Sequence, residues 1–336
     1  MKLLSCLVLL LMKSAIEMKA MHTRMLSPSF YVLPLGTSGG LEEDNLSSYL
    51  LASINDYIPS STYIALDCGT IRHGIEMAIE HKSLPEDTDI DVFIRNQIKA
   101  YLISHGHLDH VSGFLLNNPN DKAEKVIVGL NETIQIIQDH YYNNKAWINF
   151  GPTGLKTYNY QILDPFSSTS VPIPGTDFDV RIFRLCHICP FLSSAFLISR
   201  RTYSSEAVLY LGDTGPDDVE KMTLPNNRTY SPGYLKQLWQ AITPLIAERK
   251  LKAIFIEVSY PNGRSSNQLF GHLTPEWLLK ELNVLRRYHK INNVKIIITH
   301  IKPEKNARNT IIKELNSATS LGFNFVFPTQ GRGIWL

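Results

Sequence analysis

The sequence predicts an α/β protein whose sheets are covered by helices. Three observations carry that expectation. Short apolar runs rich in β-branched and aromatic residues recur along the chain, as at residues 63–67, 100–104 and 294–299. Longer segments with one apolar face alternate with them. In residues 275–290 that face carries Trp277, Leu278, Leu282 and Leu285. Finally, the 336-residue chain is 44% hydrophobic and 19% charged, ordinary for a globular protein with a large core. Apolar strands and one-faced helices bury each other in stacked layers.

In chain order, strands are expected at residues 31–35, 48–53 and 63–67, followed by a helix near 71–82. Strands at 100–104 and 126–129 precede a helix near 132–142. Strands at 180–185 and 207–211 precede a helix at 234–250. A strand at 253–258 leads to the helix at 275–290, where Thr274 can cap the N-terminus and Pro275 suits the first turn. A strand at 294–299 and a helix near 304–320 close the series. The piece Gly36-Thr37-Ser38-Gly39-Gly40 lacks both common nucleotide-loop patterns, so it reads as a tight turn after the first strand.

Residues 1–26 read as a signal peptide or disordered leader, and 27–336 as a single catalytic domain. Lys2 precedes an apolar run from Leu3 to Met12, the length of a signal-peptide core and too short to span a bilayer. No clean small-x-small cleavage site follows, and Met12, Met18, Met21 and Met25 offer alternative starts. A cleaved leader implies a periplasmic or secreted protein, and its absence a cytoplasmic one. The net charge of +2 supplies no strong basic field, so no nucleic-acid partner is expected, nor a stable membrane span. Of the four cysteines, Cys186 and Cys189 flank His187 without the second C-x-x-C of a zinc ribbon. They read as packing residues, with a local disulfide as the alternative in an exported protein.

The chemistry concentrates in Ile103-Ser104-His105-Gly106-His107-Leu108-Asp109-His110. Three imidazoles and a carboxylate follow directly on an apolar strand. In extended backbone His105 and His107 face the same way, and Asp109 and His110 reach a second position. One ion cannot easily use all four groups, whereas two can. Desolvating them together without a cation would be costly. The remaining ligands should also lie at strand ends. His187 follows the run 180–185, Asp213 follows 207–211 through Gly212, and His300 follows 294–299.

This order of motifs resembles the metallo-β-lactamase superfamily, from about Phe30 to the C-terminus. The resemblance sharpens the fold to a four-layer αββα sandwich with metals at one edge. It implies that His105, His107 and His187 hold one zinc and that Asp109, His110 and His300 hold the second. Asp213 would bridge the two Zn2+ ions, which share a hydroxide. The stretch His105 to Pro119 resembles the signature of class II cyclic-nucleotide phosphodiesterases. Two departures are Phe114, in place of a smaller aliphatic residue, and Asn118, where serine is usual. Further matching pieces are Leu66-Asp67-Cys68-Gly69, Gly212-Asp213-Thr214-Gly215, Gly271-His272-Leu273-Thr274 and Thr299-His300-Ile301-Lys302-Pro303.

The phosphodiesterase branches of the superfamily imply a role for His272 as general acid to the leaving oxygen, oriented by Glu257. An imidazole near its pKa is suited to that task. Asp109 joins His272 and Glu257 as a candidate catalytic residue in addition to its place among the ligands. The reading is hydrolysis of 3′,5′-cyclic nucleotides, cAMP or cGMP, to 5′-monophosphates. Two alternatives belong to the same superfamily. A tRNA-processing endonuclease would need a protruding basic arm, and no Gly/Lys-rich insertion is visible. A lactonase or thioesterase would not need His272.

Overall fold

The computed structural model describes residues 28–55, 58–121, 124–202, 205–318 and 321–336. The leader expectation, at residues 1–26, falls outside them. The first sheet takes β1 (Phe30–Gly36), β2 (Ser48–Asn55), β3 (Ile58–Pro59), β4 (Tyr63–Cys68), β5 (Ile98–Leu102), β6 (Lys125–Gly129) and β7 (Tyr158–Ile162). The second takes β8 (Val171–Pro172), β9 (Phe178–Cys186), β10 (Leu192–Arg200) and β11 (Ala207–Leu211). A two-stranded ribbon, β12 (Met222–Thr223) and β13 (Thr229–Tyr230), comes next in the chain. The second sheet continues with β14 (Leu251–Glu257), β15 (Lys295–Thr299) and β16 (Asn324–Val326), and β17 (Ile334–Trp335) returns to the first. Spatial orders are β17-β1-β2-β4-β5-β6-β7, with β3 on β2, and β16-β15-β14-β11-β10-β9-β8.

Side-chain alternation along the strands explains the layering. Phe30, Val32, Tyr49, Leu51, Ile64, Leu66, Ala100 and Leu102 point inward. They meet Val180, Ile182, Phe196, Ile198, Val208, Phe255 and Ile297 of the second sheet. The alternate residues, such as Leu33, Leu50, Ala65 and Tyr101, face outward. They pack on α1 (Arg72–Glu80), α2 (Ile90–Gln97), α3 (Leu108–Asn117) and α4 (Asn131–Ile136) through Ile75, Phe93, Val111 and Ile134. On the far side, Leu209, Ile254, Ile256 and Ile296 meet α5 (Tyr234–Ala247), α6 (Pro275–Tyr288) and α7 (Ala307–Asn316) through Trp239, Ile242, Leu282 and Ile311. Three apolar cores thus separate four layers, the αββα sandwich expected. No helix among the described residues is long and apolar enough to cross a membrane.

Several elements depart from the expectation. Residues 192–200 form β10, although the buried pair Ser193 and Ser194 interrupts its apolar pattern. Ser194 Oγ donates to the Ser104 carbonyl at 2.7 Å, which accounts for a polar residue there. Helix α2 opens on Asp89, whose side chain accepts from the Val92 amide. Helix α3 begins directly after His107, so candidate ligands occupy its first turn and mask its apolar period. The helix expected at 132–142 is α4 followed by a π turn at Ile137–Tyr141.

Strand direction positions the site. β4, β5 and β6 run parallel, as do β11, β14 and β15. β9 reaches β11 through two antiparallel pairings, so it runs the same way. The carboxyl ends of these strands carry Asp67, His105, His187, Asp213, Glu257 and His300, and they gather at one edge of the sandwich.

Candidate active site

The expected ligands converge at that edge. His105, His107 and His187 can each offer one atom with all three atoms within 4.8 Å of one another, and so can Asp109, His110 and His300. Asp213 lies between the two groups. Its Oδ2 is 3.2 Å from His300 Nε2, 3.4 Å from His110 Nε2, 3.8 Å from His105 Nε2 and 3.9 Å from His187 Nε2. His272 is also close, with Nδ1 3.8 Å from the same oxygen.

The surroundings fix which ring nitrogen carries hydrogen. Ser104 Oγ donates to Asp67 Oδ2 at 2.7 Å, so His105 Nδ1–H donates to Ser104 Oγ at 2.9 Å. His110 Nδ1–H donates to the same carboxylate oxygen at 2.8 Å. A matching chain stands opposite. Ser259 Oγ donates to Glu257 Oε2 at 2.6 Å, and His300 Nδ1–H donates to Ser259 Oγ at 3.0 Å. His187 Nδ1–H donates to the Gly271 carbonyl at 2.9 Å. In all four rings Nε2 faces the cluster, the arrangement a metal-binding imidazole requires, and His300 Nε2 also lies 3.1 Å from Asp109 Oδ2. His105 Nε2 and His110 Nε2 are buried without a hydrogen-bond partner. Such orphaned acceptors are costly unless a cation receives them, so the donor set fits metal ions.

Electrostatics separate the rings. Burial holds His105 well below the ordinary imidazole range, and it brings His187 down to about 4, so both rings are neutral at pH 7. Burial also lowers His107. At His110 burial works against the charge, but Asp213, Asp67 and Asp109 outweigh it and raise the ring. Burial opposes ionisation of Asp213, and the surrounding imidazoles nonetheless hold it well below the usual carboxylate range.

His107 is held differently. It is exposed, and it stacks on Phe191 with centroids 4.7 Å apart and planes 11° from parallel. Phe191 stands in the turn from β9 to β10, where the Cys186 and Cys189 sulfurs are paired as a disulfide, the alternative to separate packing residues. The glycine-rich turn after β1 proves to be a support for His300. The His300 amide donates to the Thr37 carbonyl at 3.1 Å and the Gly39 amide to that of Ile301 at 3.1 Å. A Cβ on Gly39 would overlap the His300 ring. Asp67 and His300 both sit at positive φ, +52° and +57°, and the bond to Thr37 holds the His300 backbone there.

His272 and Glu257 form a buried pair. His272 Nδ1–H donates to Glu257 Oε1 at 2.8 Å, which leaves Nε2 to carry a transferable proton. Glu257 also accepts from the Thr214 amide at 3.1 Å and the Leu273 amide at 3.3 Å. Burial opposes charge on His272, but the Glu257 carboxylate raises it above the ordinary imidazole value. Thr274 precedes α6 as expected, though its side chain makes no capping bond.

Sequence reasoning assigned no role to Asp67, Ser104, Ser259 or Phe191. Asp67 carried a signal, a carboxylate at the end of an apolar strand, in the same setting as Asp213. It is fully buried and also accepts from Tyr210 OH at 2.7 Å. Asp67→Asn should weaken metal binding by roughly 10–100-fold with the fold intact. Titration of the apoprotein with zinc checks this, and an unchanged affinity would remove Asp67 from the support of the site. The two departures within the motif are spatial neighbours. Phe114 packs on Tyr101, Tyr142 and Tyr158, while Asn118 accepts from Tyr158 OH at 2.9 Å and donates to Tyr142 OH. They fill one buried aromatic cluster on the helix side of the first sheet.

Solved structures show the same architecture. That of unliganded yeast PDE1 superposes with a TM-score of 0.76 at 22% identity, over 92% of this chain and 100% of that one. The metallo-β-lactamase fold protein YhfI from Bacillus subtilis superposes with a TM-score of 0.56 at 14% identity, over 91% and 99%. The protein therefore has the metallo-β-lactamase fold. The family model for class-II cAMP phosphodiesterases matches residues 30–331. A 3′,5′-cyclic-nucleotide phosphodiesterase of Aliivibrio fischeri is 35% identical, over 91% of this chain and 92% of its own. The chain belongs to the class II family of cyclic-nucleotide phosphodiesterases.

Proposed function

We propose that the protein hydrolyses 3′,5′-cyclic nucleotides to nucleoside 5′-monophosphates with two zinc ions. The observation that carries this reading is the Glu257–His272 pair beside Asp213, a proton donor set against the metal ligands. In this reading His105, His107 and His187 hold one ion, Asp109, His110 and His300 hold the other, and Asp213 lies between. Bound there, the two ions would supply a water-derived nucleophile at neutral pH and Lewis-acid stabilisation of the phosphoryl oxygens. Ser104, Asp67, Ser259 and the Gly271 carbonyl keep the ligand rings in one tautomer. His272 gives its Nε2 proton to the departing 3′-oxygen, whose alkoxide is too basic to leave unaided. Glu257 orients the ring and favours its protonated form.

The test is the purified full chain assayed on cAMP and on cGMP, with zinc measured on the same sample. The expected result is 5′-monophosphate alone and about two zinc ions per chain. Appearance of 3′-monophosphate would refute the role of His272. Failure on both nucleotides beside rapid cleavage of a lactone or of precursor tRNA would refute the substrate class.

A further inference from the structure

Lys302 stands two residues beyond His300 and is fixed by the same supports. Its amide donates to the Ser259 carbonyl at 3.1 Å, and Ser259 also holds His300 and Glu257. Its side chain is 20% exposed, and Nζ lies 3.9 Å from Asp109 Oδ2. That distance gives Coulombic attraction but no hydrogen bond, so the ammonium keeps donors to spare at the rim of the site. Gly40, at φ +89°, opens the space it occupies, since a Cβ there would lie 3.2 Å from Nζ and 3.5 Å from Cδ. The cluster holds four carboxylates, Asp67, Asp109, Asp213 and Glu257. Among the described residues, Lys302 is the one lysine or arginine paired with any of them.

Resting on the phosphodiesterase reading above, we propose that Lys302 is a catalytic residue. Its ammonium binds a non-bridging phosphoryl oxygen of the substrate and takes part of the charge that grows there as the nucleophile adds. An ammonium parked beside a ligand carboxylate, but unable to bond it, has little value for packing. Beside a phosphodiester it meets a fixed anion in the ground state and a larger charge in the transition state. Stabilisation of that kind raises turnover as well as affinity.

The test uses the zinc-loaded full chain and its Lys302→Gln and Lys302→Arg variants. Lys302→Gln should lose about 10²-fold in kcat on cAMP, and Lys302→Arg should recover part of it. Inhibition by adenosine 5′-monophosphate should weaken about tenfold in Lys302→Gln, while inhibition by adenosine stays unchanged. Zinc content and Tm should match the wild type. Equal weakening of both inhibitors, or loss of zinc, would make Lys302 a structural support for Asp109 and overturn the assignment. Undiminished kcat in Lys302→Gln would overturn it too, leaving the phosphodiesterase reading in place. Failure of the wild type on both cyclic nucleotides would overturn that reading and this inference with it.

Discussion

Replacing Asp213 by alanine should lower turnover by on the order of 10³-fold and remove at least one of the two zinc ions. Its Oδ2 lies between 3.2 and 3.9 Å from the Nε2 atoms of His300, His110, His105 and His187. Among the described residues no other carboxylate is paired with all four rings. Asp109 serves His300 and His110, and Glu257 is committed to His272, Ser259 and two backbone amides. Metal-ion catalysis contributes several kcal/mol, and each 1.36 kcal/mol is a factor of ten. Zinc analysis and turnover on the same Asp213→Ala sample decide the matter. Two ions per chain with near-normal turnover would show that Asp213 does not join the two groups.

The His272→Ala defect should depend on the leaving group. With a cyclic nucleotide the sugar oxygen needs a proton as its bond breaks, so loss of the acid should cost about 10²–10⁴-fold in turnover. With a p-nitrophenyl phosphodiester the phenolate departs unprotonated, and the loss should be far smaller. Zinc content should not change. This last check matters because His272 also lies within 4.8 Å ligand reach of His187 and Asp213. Glu257→Gln should repeat the pattern more mildly. The pH profile supplies a second readout. Burial disfavours the imidazolium but Glu257 raises its pKa, so the acid form persists above the ordinary imidazole range. Wild-type turnover of cyclic nucleotide should fall as pH rises through that raised value, and His272→Ala should lack this alkaline limb. Equal losses on both substrates would assign His272 to structure or binding.

Much of this site was legible because its parts share one local signature. A run such as Ala207–Leu211 is apolar enough to be a buried strand, and the polar residue just past it must sit at the sheet edge. Repeated at His105, His187, Asp213 and His300, that signature placed the candidate ligands without any long-range information. The supports were not legible for the opposite reason. Nothing local to Ser104 or Ser259 says that its hydroxyl closes on a particular imidazole and carboxylate. Ser194 meets the Ser104 carbonyl across the sandwich, 90 residues away in sequence, and Tyr210 meets Asp67 across 143. The strand β10 was hidden by its own buried serines, and helix α3 by the motif on its first turn. Sequence periodicity reports what an element buries, and it is silent where an element serves a partner elsewhere.

The two serine–carboxylate chains have a mechanical consequence. One is rooted in the first sheet, through Asp67 on β4 and Ser104 just past β5. The other is rooted in the second, through Glu257 on β14 and Ser259 just beyond it. Each sheet therefore carries its own rigid jaw of imidazoles, and the jaws meet across the interior core of Tyr49, Leu66, Leu102, Phe196, Tyr210 and Phe255. The span between jaws is set by how those side chains fill the gap between sheets, about 10 Å in face-to-face packing, and by the bonds of Tyr210 to Asp67 and of Ser194 to the Ser104 carbonyl that cross it. The edge cluster thus works as a caliper on that distant packing. A methylene lost from the interior should therefore be felt in the cross-sheet spans at the site before it is felt in the strand ladders.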